Sequence, residues 1–243
     1  MANEAAQSSL TMRRDTWWVE PLITVVVLSL FGIYATWRAF SGEYYLSEPY
    51  LSPFYSPLFT PGWWTLSPAL LILWAPLGFR MTCYYYRKAY YRSFFWSPPA
   101  CAVKPKPKEG TYTGETKFPF ILQNIHRYFF YAATVVVVFL WYDAIKAFFF
   151  EDGFGIGVGS VVLTVNAFLL TMYSLSCHSL RHLIGGKLDV MSKCPNRYEL
   201  WKCSSSLNEH HMFWAWISLF VVAFADLYVM LVAKGIINDV RLI

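Results

Sequence analysis

Five long apolar stretches, separated by polar, proline-marked or glycine-marked breaks, set the pattern of this chain. They run at about 21–37, 63–79, 119–142, 157–178 and 211–233. Each approaches the ~20 residues an α-helix needs to cross a bilayer core of about 30 Å. Backbone groups cannot stay unpaired in lipid, so runs of this length predict helices. Ser97-Pro98-Pro99, the glycine-flanked stretch 110–114 and Gly185-Gly186 fall between spans. Pro68 and Pro76 lie inside the second span and predict a kink there. The expectation is an all-α integral membrane protein with five transmembrane helices, a single membrane-anchor domain over 1–243, and no internal repeat.

Composition sharpens this. Of 243 residues 56% are hydrophobic and only 14% charged, against roughly a quarter charged in a soluble domain. Orientation follows from where lysine and arginine collect. Arg13 and Arg14 precede the first span, Arg127 lies just inside the third, and most of the remaining bases fall in the second-to-third and fourth-to-fifth connections. Arg38, Lys146, Lys234 and Arg241 are left for the other side. The N-terminus is therefore expected in the cytoplasm and the C-terminus outside. Arg13-Arg14 before an apolar run also fits a signal peptide, but no small-x-small cleavage site follows, so a retained first helix is expected. The positive-inside bias accounts for the net charge of +5 without nucleic acid.

Two aromatic segments flank the spans. Glu43 to Trp64 is rich in Tyr, Phe, Trp and Pro and is expected to lie along the outer surface as part of an aromatic belt. After Cys83, YYYRKAYYRSFFW interleaves rings with Arg87, Lys88 and Arg92, which beside a membrane helix reads as an interfacial amphipathic segment. KPKPKEG at 104–110 reads as an extended linker.

Candidate chemistry lies at one end. The histidines are His126, His178, His182, His210 and His211, and the cysteines are Cys83, Cys101, Cys177, Cys194 and Cys203. With the spans drawn as above, all fall in or beside cytoplasmic helix ends and loops. Five thiols on the reducing side argue against a disulfide framework. His178 and His182 are spaced i, i+4 and share a helix face. Cys83 closes the second span, His126 lies inside the third, and His210-His211 opens the fifth. Polar groups at membrane depth usually face the bundle interior and partner one another. The expected metal ligands are Cys83, Cys177 and two from His178, His182 and His211, with Cys101 and His126 in reserve. A two-haem wire needs histidines at two depths, and the outer halves have none. One haem b near the cytoplasmic face, for example between His126 and His211, remains open. So does mixed Cys and His ligation of an iron–sulfur centre, although soluble Rieske spacings are missing. A quinone slot is expected where Gln123, His126 and Arg127 open the third span, with Arg127 facing a quinol oxyanion and His126 relaying a proton. A cofactor-free transporter would need polar sites at mid-bilayer, for which Asn166 and Asp226 are the candidates.

At these residues the chain resembles a family. TCYYYRKAYYRSFFWSPPACAV, YTGETKFPFILQNIHRYFFY, LSCHSLRHLIGGKL and LNEHHMFWAW look like the membrane-anchor subunit of actinobacterial-type succinate dehydrogenase, from about Arg80 to the C-terminus. The resemblance implies a plasma-membrane complex with a flavoprotein subunit that oxidises succinate and an iron–sulfur subunit that relays electrons, both on the cytoplasmic side. It implies delivery of those electrons to menaquinone through a Rieske-like 2Fe–2S cluster in the anchor, in place of haem.

Overall fold

The structure, a computed structural model, describes residues 15–103, 116–118, 120–186 and 188–243. Arg13-Arg14, the linker at 104–110, Pro119 and Lys187 lie outside the described residues. Helix α1 is Val19–Ser41, α2 Trp74–Thr82, α3 Tyr84–Ser93, α4 His126–Lys146, α5 Val158–Leu175, α6 His178–Gly185, α7 Pro195–Glu209 and α8 His211–Ala233. A 3₁₀ segment, Phe120–Ile125, leads into α4. Two small antiparallel hairpins pair β1 (Leu46–Ser47) with β2 (Tyr50–Leu51), and β3 (Phe149–Phe150) with β4 (Gly153–Phe154).

Among the described residues four helices are long and apolar enough to cross a membrane: Val19–Ser41, Ile121–Lys146, Val158–Leu175 and His211–Ala233. The chain is a multi-pass membrane protein. The helix expected at 63–79, with a kink at its prolines, is broken rather than bent. In its place stand a 3₁₀ turn, Pro68–Leu71, and the nine residues of α2, which rise only about 13 Å. The prolines explain the break. Pro68 opens the 3₁₀ turn and Pro76 sits in the first turn of α2, where a missing N–H leaves no hydrogen bond unmade. Each proline starts a helical piece rather than bending one. The broken segment still joins the two ends of the bundle. Ser67 lies against Gly42, the left-handed residue that ends α1, while Cys83 meets His211 at the start of α8.

The core lies between α4, α5 and α8. Ala133, Ala144, Ala167, Ala215 and Ala225 are all buried, and their small side chains let the helices approach closely. Ile23, Val26, Leu30 and Ile33 of α1 are exposed and form an apolar face suited to lipid.

The aromatic loop lies along the surface only in part: Tyr44, Phe59 and Trp63 are exposed, while its middle turns inward. Tyr50, Phe54 and Tyr55 are buried and close the end of the bundle away from the histidines. Beneath them Arg38 Nε donates to Asp226 Oδ2 at 2.8 Å, the Tyr34 hydroxyl donates to the same carboxylate at 2.5 Å, and Ser52 Oγ donates to its other oxygen. The Tyr55 hydroxyl in turn donates to the Arg38 carbonyl at 2.6 Å. A buried ion pair is tolerated only when its remaining hydrogen-bonding capacity is met, and the loop meets it. Asp226 is thus a structural anion that ties α1 to α8.

Candidate functional site

The other end of the bundle carries the chemistry. Cys83 is a single extended residue (φ −62°, ψ 133°) between α2 and α3, and Cys177 is its counterpart (φ −67°, ψ 138°) before α6. Both thiols are buried, as is His211, while His126 is half-buried. His126 Nε2 lies 3.3 Å from Cys177 Sγ, and His211 Nε2 lies 3.4 Å from Cys83 Sγ.

The remaining nitrogen of each ring is fixed. Thr82 Oγ1 donates to the Gly78 carbonyl at 2.6 Å and stands 2.8 Å from His126 Nδ1. Ser176 Oγ donates to the Tyr173 carbonyl at 2.9 Å and stands 2.6 Å from His211 Nδ1. A hydroxyl has one proton. With that proton given to the backbone, each oxygen accepts from an imidazole Nδ1–H. Both histidines therefore hold the tautomer whose Nε2 lone pair faces a thiol, the arrangement in which an outer hydrogen bond orients a metal-binding imidazole.

The two halves repeat. Phe79-x-x-Thr82-Cys83-x-x-x-Arg87 matches Tyr173-x-x-Ser176-Cys177-x-x-x-Arg181 in role at every defined position. Phe79 stacks on His126 (5.1 Å, 8°) and Tyr173 stacks on His211 (5.1 Å, 22°). After each cysteine comes a short helix whose Arg87 or Arg181 N–H closes on the cysteine carbonyl. The next long helix of each half, α4 or α8, then opens on the histidine. The pairing is crossed: Cys83 of the first half faces His211 of the second, and Cys177 faces His126. An aromatic, a hydroxyl, a cysteine and an arginine at fixed offsets were the signal in the sequence for this local repeat.

Burial pushes the Cys177 thiol up to about 11, offset in part by the Ser179 N–H that donates to its sulfur at 3.4 Å. Desolvation of this kind disfavours a bare thiolate, so a charged sulfur here calls for a cation. Among the described residues no three His, Cys, Asp or Glu side chains are grouped to hold a single metal ion. The donors come as two pairs instead.

Of the residues singled out from the sequence, the structure brings together Cys83, Cys177 and His211. It adds His126, which was assigned to quinone with metal ligation in reserve. His178 and His182 meet each other on α6, with ring centroids 4.6 Å apart, but both are exposed and stand outside the Cys–His pairs. The break at Cys177 starts a new helix and turns their face outward. Partial desolvation holds the His178 imidazole below its usual range, aided by His182 and Arg181. Cys101 and Cys203 are exposed. Gln123 lies on the 3₁₀ segment and Arg127 on α4, so the α-helical i, i+4 face expected for them is interrupted. Gln123 Nε2 donates to the Tyr90 hydroxyl at 2.6 Å, its Oε1 is buried without a hydrogen-bond partner among the described residues, and Arg127 is exposed.

Comparison with known proteins places this geometry. No curated protein matches the chain at a significant level. A solved structure, the Mycobacterium smegmatis Sdh1 complex in the apo form, contains a chain 50% identical to this one, with a TM-score of 0.87 over 97% of this chain and 95% of that one. The family model of actinobacterial succinate dehydrogenase subunit SdhC matches residues 19–235. With nine-tenths of its length inside that match, the chain belongs to the SdhC family of actinobacterial succinate dehydrogenase membrane subunits.

Proposed function

We propose that this chain anchors a succinate dehydrogenase in the plasma membrane and passes electrons from its iron–sulfur subunit to menaquinone, with Cys83, Cys177, His126 and His211 holding a Rieske-like 2Fe–2S cluster. In this reading the chain crosses the membrane five times, the second crossing being the broken segment from Ser67 to Cys83. The N-terminus and the Cys–His end face the cytoplasm, where the flavoprotein and iron–sulfur subunits dock.

The observation that carries the reading is the donor set. Two thiols and two imidazoles with free Nε2 lone pairs converge from four helix ends. A Rieske centre takes two Cys and two His in all, both His on one iron, and these four residues would supply that number and kind of donor. Such a set needs no three-ligand group of the single-ion kind. When bound, the cluster supplies one-electron transfer. The chain's own residues do the rest. Thr82 and Ser176 hold the imidazole planes, Phe79 and Tyr173 cover them and exclude water, and the first turn of α6 directs N–H groups toward the Cys177 sulfur, which favours its thiolate. A haem b between His126 and His211 fits less well, since each Nε2 faces a thiol and each ring is covered by a stacked aromatic.

Menaquinone is placed at Gln123. Its buried, unpartnered Oε1 is an acceptor for a quinol hydroxyl, and Arg127 supplies a cation from the next turn. His126 is committed to Thr82 and Cys177, so a proton relay through it is no longer part of the reading.

The test is iron and acid-labile sulfide per purified complex, compared with the content of its soluble subunits alone, together with the EPR spectrum of the dithionite-reduced sample. Two extra irons, two extra sulfides and a Rieske-type signal are expected. A Soret band with no extra sulfide would replace the cluster by haem.

A further inference from the structure

The two halves of the site differ at one position that matters electrically. Three residues before Cys177 stands Ser174, buried and neutral. Three residues before Cys83 stands Arg80. Its Nη1 donates to the Tyr86 hydroxyl at 2.6 Å and to the Ala215 carbonyl at 3.1 Å, and its Nη2 donates to Ser218 Oγ at 3.0 Å. Its guanidinium lies 4.8 Å over the Tyr173 ring, which itself stacks on His211. Ala215 is one turn along α8 from His211. Among the described residues the groups that meet Arg80 are thus a phenol, a peptide carbonyl, a serine hydroxyl and aromatic faces, with no carboxylate. Arg38, by contrast, has Asp226 at 2.8 Å.

An arginine stays charged at any physiological pH, and a charge held among neutral groups in a poorly polarisable interior acts at long range. Any anion at the Cys83–His211 pair would lie beside it.

We infer that Arg80 tunes the redox group: its charge would raise the reduction potential of the group held by Cys83, Cys177, His126 and His211. This rests on the iron–sulfur reading above. Net charge near a cluster is one of the levers that set its potential.

The test is an EPR-monitored redox titration of the purified, detergent-solubilised complex. In R80Q the equilibrium constant for reduction should fall about tenfold, equivalent to about 59 mV for one electron. R80K should keep the wild-type midpoint. S218D, which leaves Arg80 in place and sets a carboxylate against it, should lower the midpoint as R80Q does, and it decides the matter if R80Q loses the signal. Unchanged midpoints in R80Q and S218D would overturn the inference, as would R80K falling as far as R80Q. A wild-type complex without an EPR signal or extra acid-labile sulfide would instead overturn the cluster reading itself, and this role with it.

Discussion

Thr82 Oγ1 and His126 Nδ1 stand 2.8 Å apart, and because the hydroxyl proton goes to Gly78, the imidazole must be the donor. That contact decides which nitrogen of His126 is free. Thr82→Val keeps the shape and removes the acceptor. Loss of such an outer hydrogen bond typically lowers metal affinity or activity by about 10- to 100-fold, so iron content after mild chelation should fall in Thr82→Val and recover in Thr82→Ser. Equal iron retention in all three proteins would mean that the hydroxyl does not orient the ring.

Cys83→Ser and Cys177→Ser should each remove the additional acid-labile sulfide while the subunits still co-purify. His178→Ala combined with His182→Ala should leave it intact, since both rings are exposed on α6. Sulfide content and EPR amplitude measure both. Loss of the signal in the double histidine variant, with Cys83→Ser retaining it, would return the ligands to α6.

Gln123→Leu should lower the rate of reduction of a menaquinone analogue several-fold, because the quinol hydroxyl that forms loses about 1 kcal/mol or more from one hydrogen bond to a buried acceptor. Succinate oxidation by a soluble artificial acceptor should be unaffected. An unchanged rate would move the quinone away from the start of α4.

Asp226→Asn leaves the Arg38 guanidinium buried without its anion. Breaking a buried pair from one side costs about 3–5 kcal/mol, so the thermal unfolding midpoint in detergent should drop by several degrees. Arg38→Met with Asp226→Leu should restore much of it, since an apolar replacement of both partners is often neutral. A double variant no more stable than Asp226→Asn would show that the loop contacts, rather than the ion pair, hold α1.

Much of the fold was legible because apolar runs this long have few alternatives. The last span coincides with α8 from His211 to Ala233, bounded by polar residues at both ends. In the second span the two prolines marked where the helix is disturbed, but not that each would start a separate helical piece instead of bending one. The aromatic loop was half legible: Tyr44, Phe59 and Trp63 are exposed as a surface belt would be, but ring content alone does not show that Tyr50, Phe54 and Tyr55 turn inward over Arg38 and Asp226, which are far apart in sequence. In the site, the i, i+4 histidines of α6 were conspicuous and are peripheral. The pairs that do form join residues 51 and 128 positions apart. Their signature was a repeat of roles, Phe for Tyr and Thr for Ser, which identity alone does not reveal.

The crossed pairing also sets an order of events during synthesis. Neither Cys83 nor His126 meets its partner until the second half of the chain has been made, and His211 opens the final long helix. The Cys177–His126 pair can form before α8 is made, whereas the Cys83–His211 pair cannot. On the proposed cluster reading, loading would follow insertion of the whole chain, since a polypeptide truncated before α8 lacks His211 and leaves Cys83 without its partner. On that reading, a site completed only by the last long helix would distinguish finished chains from partial ones.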